Sequence, residues 1–201
     1  MNTADSTAER ADRRDIITTL ITCGAVAIGV VIATVNRFFA LFDASGLTME
    51  VQVPLQDGNV AGESGDVPVG VWHAFVTVPD PSVKLVVFAV LAVLAGTIGW
   101  LSALGCVTVL ALDFSRGRVF GSRSVRMLSL LTTSIAVGVI ASYVLTVFAT
   151  NVLRTEAGIG AVNMSLPPEY WLGIVAAVLA GVLAVAFRRG AKLQKDTEGL
   201  V

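Results

Sequence analysis

Residues 82–112 read SVKLVVFAVLAVLAGTIGWLSALGCVTVLAL, an apolar run whose one charge, Lys84, lies near its start. A helix rises ~1.5 Å per residue and a hydrocarbon core is ~30 Å thick, so about 20 such residues cross a bilayer. This stretch is longer than a perpendicular crossing needs and must tilt or protrude. Three further runs are long and apolar enough to cross, at 15–42, 125–152 and 169–187. The chain as a whole is 55% hydrophobic and 14% charged, with a mean hydropathy of +0.79. A soluble domain is roughly half apolar and a quarter charged, so water is not this chain's only solvent. The sequence predicts an all-α membrane protein, a four-transmembrane-helix bundle with a small extracytoplasmic β-hairpin or sheet between helices 1 and 2.

The first run could be confused with a secretory leader. Its apolar stretch, 16–35, exceeds the ~7 to 15 residues of a leader's core, and no Ala-x-Ala-like site closes it, so it reads as a retained helix. The tail before it, 1–14, mixes Asp5, Glu9 and Asp12 with Arg10, Arg13 and Arg14 and lacks large apolar residues. It cannot bury a core and is expected to be disordered or a short surface helix. At the other end of this span Arg37 stands beside Phe38 and Phe39, an arrangement that lets an arginine snorkel to the interface.

Between 43 and 81 the pattern changes period. Leu47-Thr48-Met49-Glu50-Val51-Gln52-Val53-Pro54-Leu55 alternates apolar and polar, as a half-buried strand does. A Gly/Asp/Asn-rich connection over 56–66 leads to a β-branched run over 67–78 that contains Trp72 and Phe75. The two runs predict a hairpin or small sheet, which is stable only when packed on the helix ends or completed by another segment.

The second span carries Gly96, Gly99 and Gly105 with Ala95, Ala103 and Cys106, a small-residue face of the kind that lets helices approach closely in lipid. Cys23 and Cys106 both lie in apolar runs with no metal-ligand spacing and read as small packing residues. Residues 113–124 form an Arg-rich loop, with Arg116, Arg118 and Arg123 followed by Arg126, and Asp113 is expected to pair locally with Arg116 or Arg118. Ser122 or Ser124 is the expected N-cap of the third span. A loop over 153–168 ends in Pro167-Pro168, which introduce the fourth span with Tyr170 and Trp171 as interfacial anchors.

Lys and Arg near span ends set orientation. Eleven of the fourteen lie on the N-tail, the Arg-rich loop and the tail 188–201; Arg37, Lys84 and Arg154 lie on the other side. Asp43, Glu50, Asp57, Glu63, Asp66 and Asp80 also fall on that poorer side. The expected topology has both termini (1–14 and 188–201) and the 113–124 loop in the cytoplasm, and the 43–81 and 153–168 loops outside.

Chemistry is hard to find. P-loop, HExxH, GxSxG, CxxC and dinucleotide fingerprints are missing from the sequence. The single histidine, His73, makes neither a triad nor a metal site, and the span midpoints carry no charge of the kind that marks an ion pathway. The reading is therefore not an enzyme, with no cofactor, no metal and no direct nucleic-acid partner. The basic face is the feature above background. It reads either as topology plus attraction to the anionic lipid bilayer, or as a docking surface for a cytoplasmic protein formed by Arg116, Arg118, Phe120, Arg123, Arg126, Arg188, Arg189, Lys192, Leu193 and Lys195.

At Gly117-Arg118-Val119-Phe120, and again at Phe187-Arg188-Arg189-Gly190-Ala191-Lys192-Leu193-Gln194 running on to Leu200-Val201, the chain resembles a bacterial membrane family known as domain of unknown function 2975. The resemblance implies four spans, an outer β-rich segment after the first, and a Gly-basic-Val-Phe turn before the third. Gly121 stands where the family pattern has a small hydroxyl residue. The family has no established activity, but its genes often sit beside one for a small helix-turn-helix regulator. The resemblance thus implies a membrane partner or anchor for a cytoplasmic transcription regulator. The leading expectation is a regulatory or scaffolding protein. The alternative is a small transporter, channel or exporter component working as a homo-oligomer through the Gly/Ala face of the second span.

Overall fold

The computed structural model describes residues 3–43, 46–54, 59–62, 65–68, 71–116, 121–158 and 166–198. Four long helices dominate: α1 (Thr3–Leu41), α2 (Val83–Ser115), α3 (Ser122–Ala157) and α4 (Pro168–Glu198). Each contains a segment long and apolar enough to cross a membrane, the mark of a multi-pass membrane protein. Strands β1 (Phe42–Asp43), β2 (Gly46–Pro54), β3 (Asn59–Gly62), β4 (Gly65–Pro68) and β5 (Val71–Val78) fill the interval between α1 and α2.

Of the two expectations for the N-terminal tail the helical one holds, and the helix is continuous with the span: α1 runs from Thr3 without a break. The apolar segment supplies the costly nucleus, and Ala, Glu and Arg residues extend it cheaply. Along the span, Ile17, Ile21, Ile28 and Ile32 remain exposed, and α1 is the least buried of the four candidate spans. Such a surface suits lipid tails, which are as apolar as the side chains they would meet.

The chain divides into two compact units. One comprises 95–140 and 168–201 together with 1–33. Its core is Ala103 and Leu110 of α2, Leu128, Leu131 and Ile135 of α3, and Ala177, Ala180 and Ala184 of α4. Buried positions step by three and four along α3 (Ser124, Leu128, Leu131, Ile135, Gly138) and α4 (Gly173, Ala177, Ala180, Ala184). That is the spacing of a seam between helices at shallow crossing angles, here lined with small residues. Gly99 and Gly138 form the tightest point. A Cβ on Gly99 would stand 2.7 Å from the Gly138 Cα, and one on Gly173 would stand 2.5 Å from Cγ2 of Val139. The small-residue face of α2 is thus occupied at Gly99 by α3 of the same chain, whereas Gly105 has nothing within 4 Å.

The second unit comprises 34–94 and 141–167. Here Leu47 and Val51 of β2 are fully buried against Leu85 and Ala89 of α2 and Ala149 and Leu153 of α3. The alternation read from sequence holds, with Glu50 exposed between Leu47 and Val51. β2 pairs antiparallel with β5, Leu47 opposite Val78 and Pro54 opposite Val71, and β1 completes a three-stranded sheet. The hydroxyls of Thr48 and Thr77 meet across this ladder at 2.8 Å. Gly46 enters β2 at φ 129°, where a Cβ would collide with the Val78 carbonyl. The Gly/Asp/Asn-rich connection is more structured than its composition predicts. β3 and β4 pair within it, and two residues, Glu63 and Ser64, connect them. Their register is offset by two from that of β2 and β5, Asn59 facing Pro68.

Local chemistry sets the helix ends. Ser82 caps α2: its Oγ accepts from the Leu85 amide at 3.3 Å and its carbonyl accepts the first helical bond from Val86. Neither Ser122 nor Ser124 caps α3; the first helical bond runs from the Val125 amide to the Gly121 carbonyl, so the capping position is Gly121. Gly158, at φ 68°, closes α3 in the left-handed conformation that glycine adopts without strain. Ser142 of α3 donates to the Ala92 carbonyl of α2 at 2.9 Å, and several helical threonines bond the carbonyl four residues back, among them Thr108, Thr132 and Thr146.

Candidate functional site: the basic helix ends

Within the first unit, packing brings three helix ends to one level. Gly99 lies against Ser134 and Ala95 against Gly138, so α2 runs antiparallel to α3; Gly173 faces Val139 and Gly181 faces the Thr132 methyl group at 3.5 Å, so α4 also runs antiparallel to α3. Seven residues along from that last contact, Arg188 comes level with Val125. Two contacts at this end agree with the register. Asp113 of α2 meets Arg123 of α3, Oδ2 to Nε 3.5 Å, and the rings of Phe114 and Phe187 stack with centroids 5.8 Å apart and planes 16° from parallel.

Around this frame Arg116, Arg123, Arg126, Arg188, Arg189 and Lys192 are all exposed. Leu193, 67% exposed, stands beside them on α4. Lys195 lies in α4, but its side chain falls outside the described residues, as do Arg118 and Phe120 altogether. Six of the ten residues expected to dock a partner are therefore placed as exposed cations at the ends of these three helices, together with one exposed apolar residue.

Asp113 departs from its expected role. Its partner is Arg123 on the next helix, in place of the local Arg116 or Arg118. The carboxylate side chain is 3% exposed and Arg123 is 61% exposed, so one end of the pair is fixed while the other reaches outward. Among the described residues Asp113 Oδ2 has the ion pair with Arg123 and no hydrogen bond. A buried carboxylate leans heavily on such a charged contact for its stabilisation. Ser124, one residue beyond Arg123, is 1% exposed and lines the same corner.

No family model, curated protein or solved structure matches the chain. Among the described residues no group of three His, Cys, Asp or Glu side chains gathers as a metal-ligand set.

A second polar locus was missed from sequence. Arg154, read at a helix end in the 153–168 loop, is 3% exposed within α3, and Thr150 one turn earlier is 2% exposed. Both belong to the second unit, where their neighbour Leu153 packs in the apolar cluster under β2. The signal was present as a stripe of small and polar residues at every fourth position of α3: Ser134, Gly138, Ser142, Thr146, Thr150 and Arg154. Residues four apart are neighbours on a helix surface, so Arg154 follows directly on the buried Thr150; over the whole run the stripe winds around α3 by about 40° per step, because four residues exceed one 3.6-residue turn. Arg154 also sits in the last turn of α3, where a cation complements the helix dipole.

Proposed function

We propose that this is a multi-pass protein of the bacterial cell membrane, with both termini in the cytoplasm, that acts without catalysis as a regulatory or scaffolding partner of a cytoplasmic protein. The observation that carries the reading is the convergence of α2, α3 and α4 on one level with six exposed cations, while α4 runs on to Glu198 with Leu193 exposed. An apolar anchor within a charged rim is the composition of a protein-docking surface. The resemblance noted at 117–120 and 187–194 points to a small helix-turn-helix regulator as that partner. Orientation follows from the eleven-to-three division of Lys and Arg.

The test is affinity purification from native membranes in mild detergent, comparing the intact chain with one truncated after Gly190. A DNA-binding protein held by the intact chain alone, and rebinding it when both are purified, supports the reading and places the contact on 191–201. The absence of any tail-dependent partner refutes it. Reporter fusions at Gly62 and Val201 must report opposite sides of the membrane, or the proposed topology is wrong.

A further inference from the structure

We propose that the arginines at the basic ends of α3 and α4, Arg123, Arg126, Arg188 and Arg189, form a binding site for the phosphate of an anionic phospholipid drawn from the surrounding bilayer. The inference shares the topology of the preceding section but not its partner, and it separates two parts of the basic surface by depth.

Depth is read along α4. Trp171, exposed as interfacial tryptophans are, precedes seventeen steps of helix with no charged residue before Arg188. Seventeen steps at ~1.5 Å give about 26 Å, close to the thickness of a hydrocarbon core. With Trp171 at one interface, Arg188 and Arg189 lie at the other, at headgroup depth. Contact between Gly181 and Thr132 brings the first turn of α3 to the same level, and there Arg126 is the last charge before 27 uncharged residues that end at Arg154. At that depth a phospholipid already holds its phosphate, so lipid meets these guanidinium groups without leaving the bilayer, whereas a water-soluble protein has to displace it. The stretch from Ala191 to Glu198 continues past this level by about 12 Å and is the part accessible to a protein.

Charge and preorganisation favour the same ligand. Among the described side chains of α2, α3 and α4 at this level, five exposed arginines, counting Arg116, stand with one carboxylate, Asp113, which is buried and contacted by Arg123. The nearest acidic residues along α4, Asp196 and Glu198, begin eight residues beyond Arg188. Asp113 holds the Nε edge of Arg123, and most of that side chain stays exposed, so its outer nitrogens can face a headgroup. The planar fork of a guanidinium matches two oxygens of one phosphate. The Phe114 and Phe187 stack ties α2 to α4 directly beside Arg188 and limits how far the cluster can spread.

The test uses the purified full chain in detergent, titrated with phosphatidylglycerol or phosphatidylcholine and read by native mass spectrometry for bound lipid. The expected result is preferential retention of phosphatidylglycerol, reduced by about 600-fold in the quadruple variant R123Q/R126Q/R188Q/R189Q, since each arginine near an anionic surface contributes roughly five-fold. The control R37Q/K84Q should retain lipid as the parent does. Should the quadruple variant fail to fold, R188Q/R189Q alone must still lose more than ten-fold at unchanged helix content. Equal retention of the two lipids, full retention by the arginine variants, or an equal loss in the control overturns the proposal. Displacement by inorganic phosphate at millimolar concentration also overturns it, by showing a small-anion site. No protein partner is present in this assay, so its failure leaves the docking reading standing, and the loss of tail-dependent capture leaves the lipid site standing. If the arginine variants keep their lipid but lose the cytoplasmic partner, the cluster belongs to the protein instead.

Discussion

Replacing Gly99 by alanine tests the packing of α2 on α3 most directly. The new Cβ would stand 2.7 Å from the Gly138 Cα and 3.2 Å from the Ser134 carbonyl oxygen, while ordinary contact begins near 3.4 Å. Both obstacles are backbone, so no side chain can swing aside, and the helices must part by about 0.7 Å at the crossing, the difference between 3.4 and 2.7. A gap of that size forfeits a quarter to a half of each contact's dispersion energy along the seam, and overpacking of this kind costs about 1–3 kcal/mol. Alanine also propagates a helix better than glycine by up to ~1 kcal/mol, which would blur a single measurement. Gly105 supplies the reference. It lies on the same helix with nothing within 4 Å, so Gly105→Ala carries the propensity gain and none of the clash. The difference between the two variants therefore isolates the crossing, with Gly99→Ala less stable by about 1–3 kcal/mol. The assay is reversible unfolding in mixed micelles, following helix content against the mole fraction of denaturing detergent. Equal midpoints for the two variants, or a higher one for Gly99→Ala, would refute the close approach.

Two further outcomes follow from the same structure. Arg123→Gln leaves the Asp113 carboxylate buried without its charged contact and should cost about 1–2 kcal/mol, discounted for the exposure of Arg123; adding Asp113→Asn should return most of that loss, and strict additivity of the two changes in the unfolding assay would show the pair to be uncoupled. Gly46→Ala drives a Cβ against the Val78 carbonyl at a φ of 129°, a strain of at least ~2–3 kcal/mol; amide exchange over residues 47–51 should accelerate on the order of 50-fold with α4 unaffected, and unchanged protection of β2 would contradict the tight entry to the strand.

The spans and the principal strand pair were legible because each expresses a single physical demand over many residues. Residues 82–112 are too apolar for water, and Leu47, Met49 and Val51 alternate with Thr48 and Glu50 because one face of β2 lies on the helix ends. What escaped the sequence depends on contacts between segments or on cooperativity. Asp113 was matched to arginines three and five positions away, yet it meets Arg123, because the antiparallel turn from α2 to α3 brings the start of α3 back to the end of α2. The cap of α3 fell on Gly121 although two serines follow it, since Ser124 is drawn inward to the corner and is buried. Helix continues to Thr3 because a formed span extends at little cost into residues that could not nucleate one. Of the candidate site, the residue types were legible and their common level was not, since the level is set by where glycines let the helices meet.

The stripe along α3 shows why a polar pattern inside an apolar helix is weak support for a conduction path. Ser142, Thr146 and Thr150 recur every fourth residue, as the lining of an aqueous route would. In this stripe the hydroxyl protons of Ser142, Thr146 and Thr150 are donated to backbone carbonyls. Ser142 bonds the Ala92 carbonyl of α2, Thr146 bonds the Ser142 carbonyl, and Thr150 bonds the Thr146 carbonyl, all at 2.8–2.9 Å. Small side chains with internally satisfied hydroxyls let two helices approach closely without leaving polar groups in hydrocarbon. The stripe closes on Arg154, which is 3% exposed and lies beside Leu153 at the margin of the cluster under β2. Of the three hydroxyl bonds, that of Ser142 crosses to α2 and ties the two helices within the second unit, while those of Thr146 and Thr150 stay within α3; the exposed charge described at Arg123 and Arg126 stands at the other end of α3.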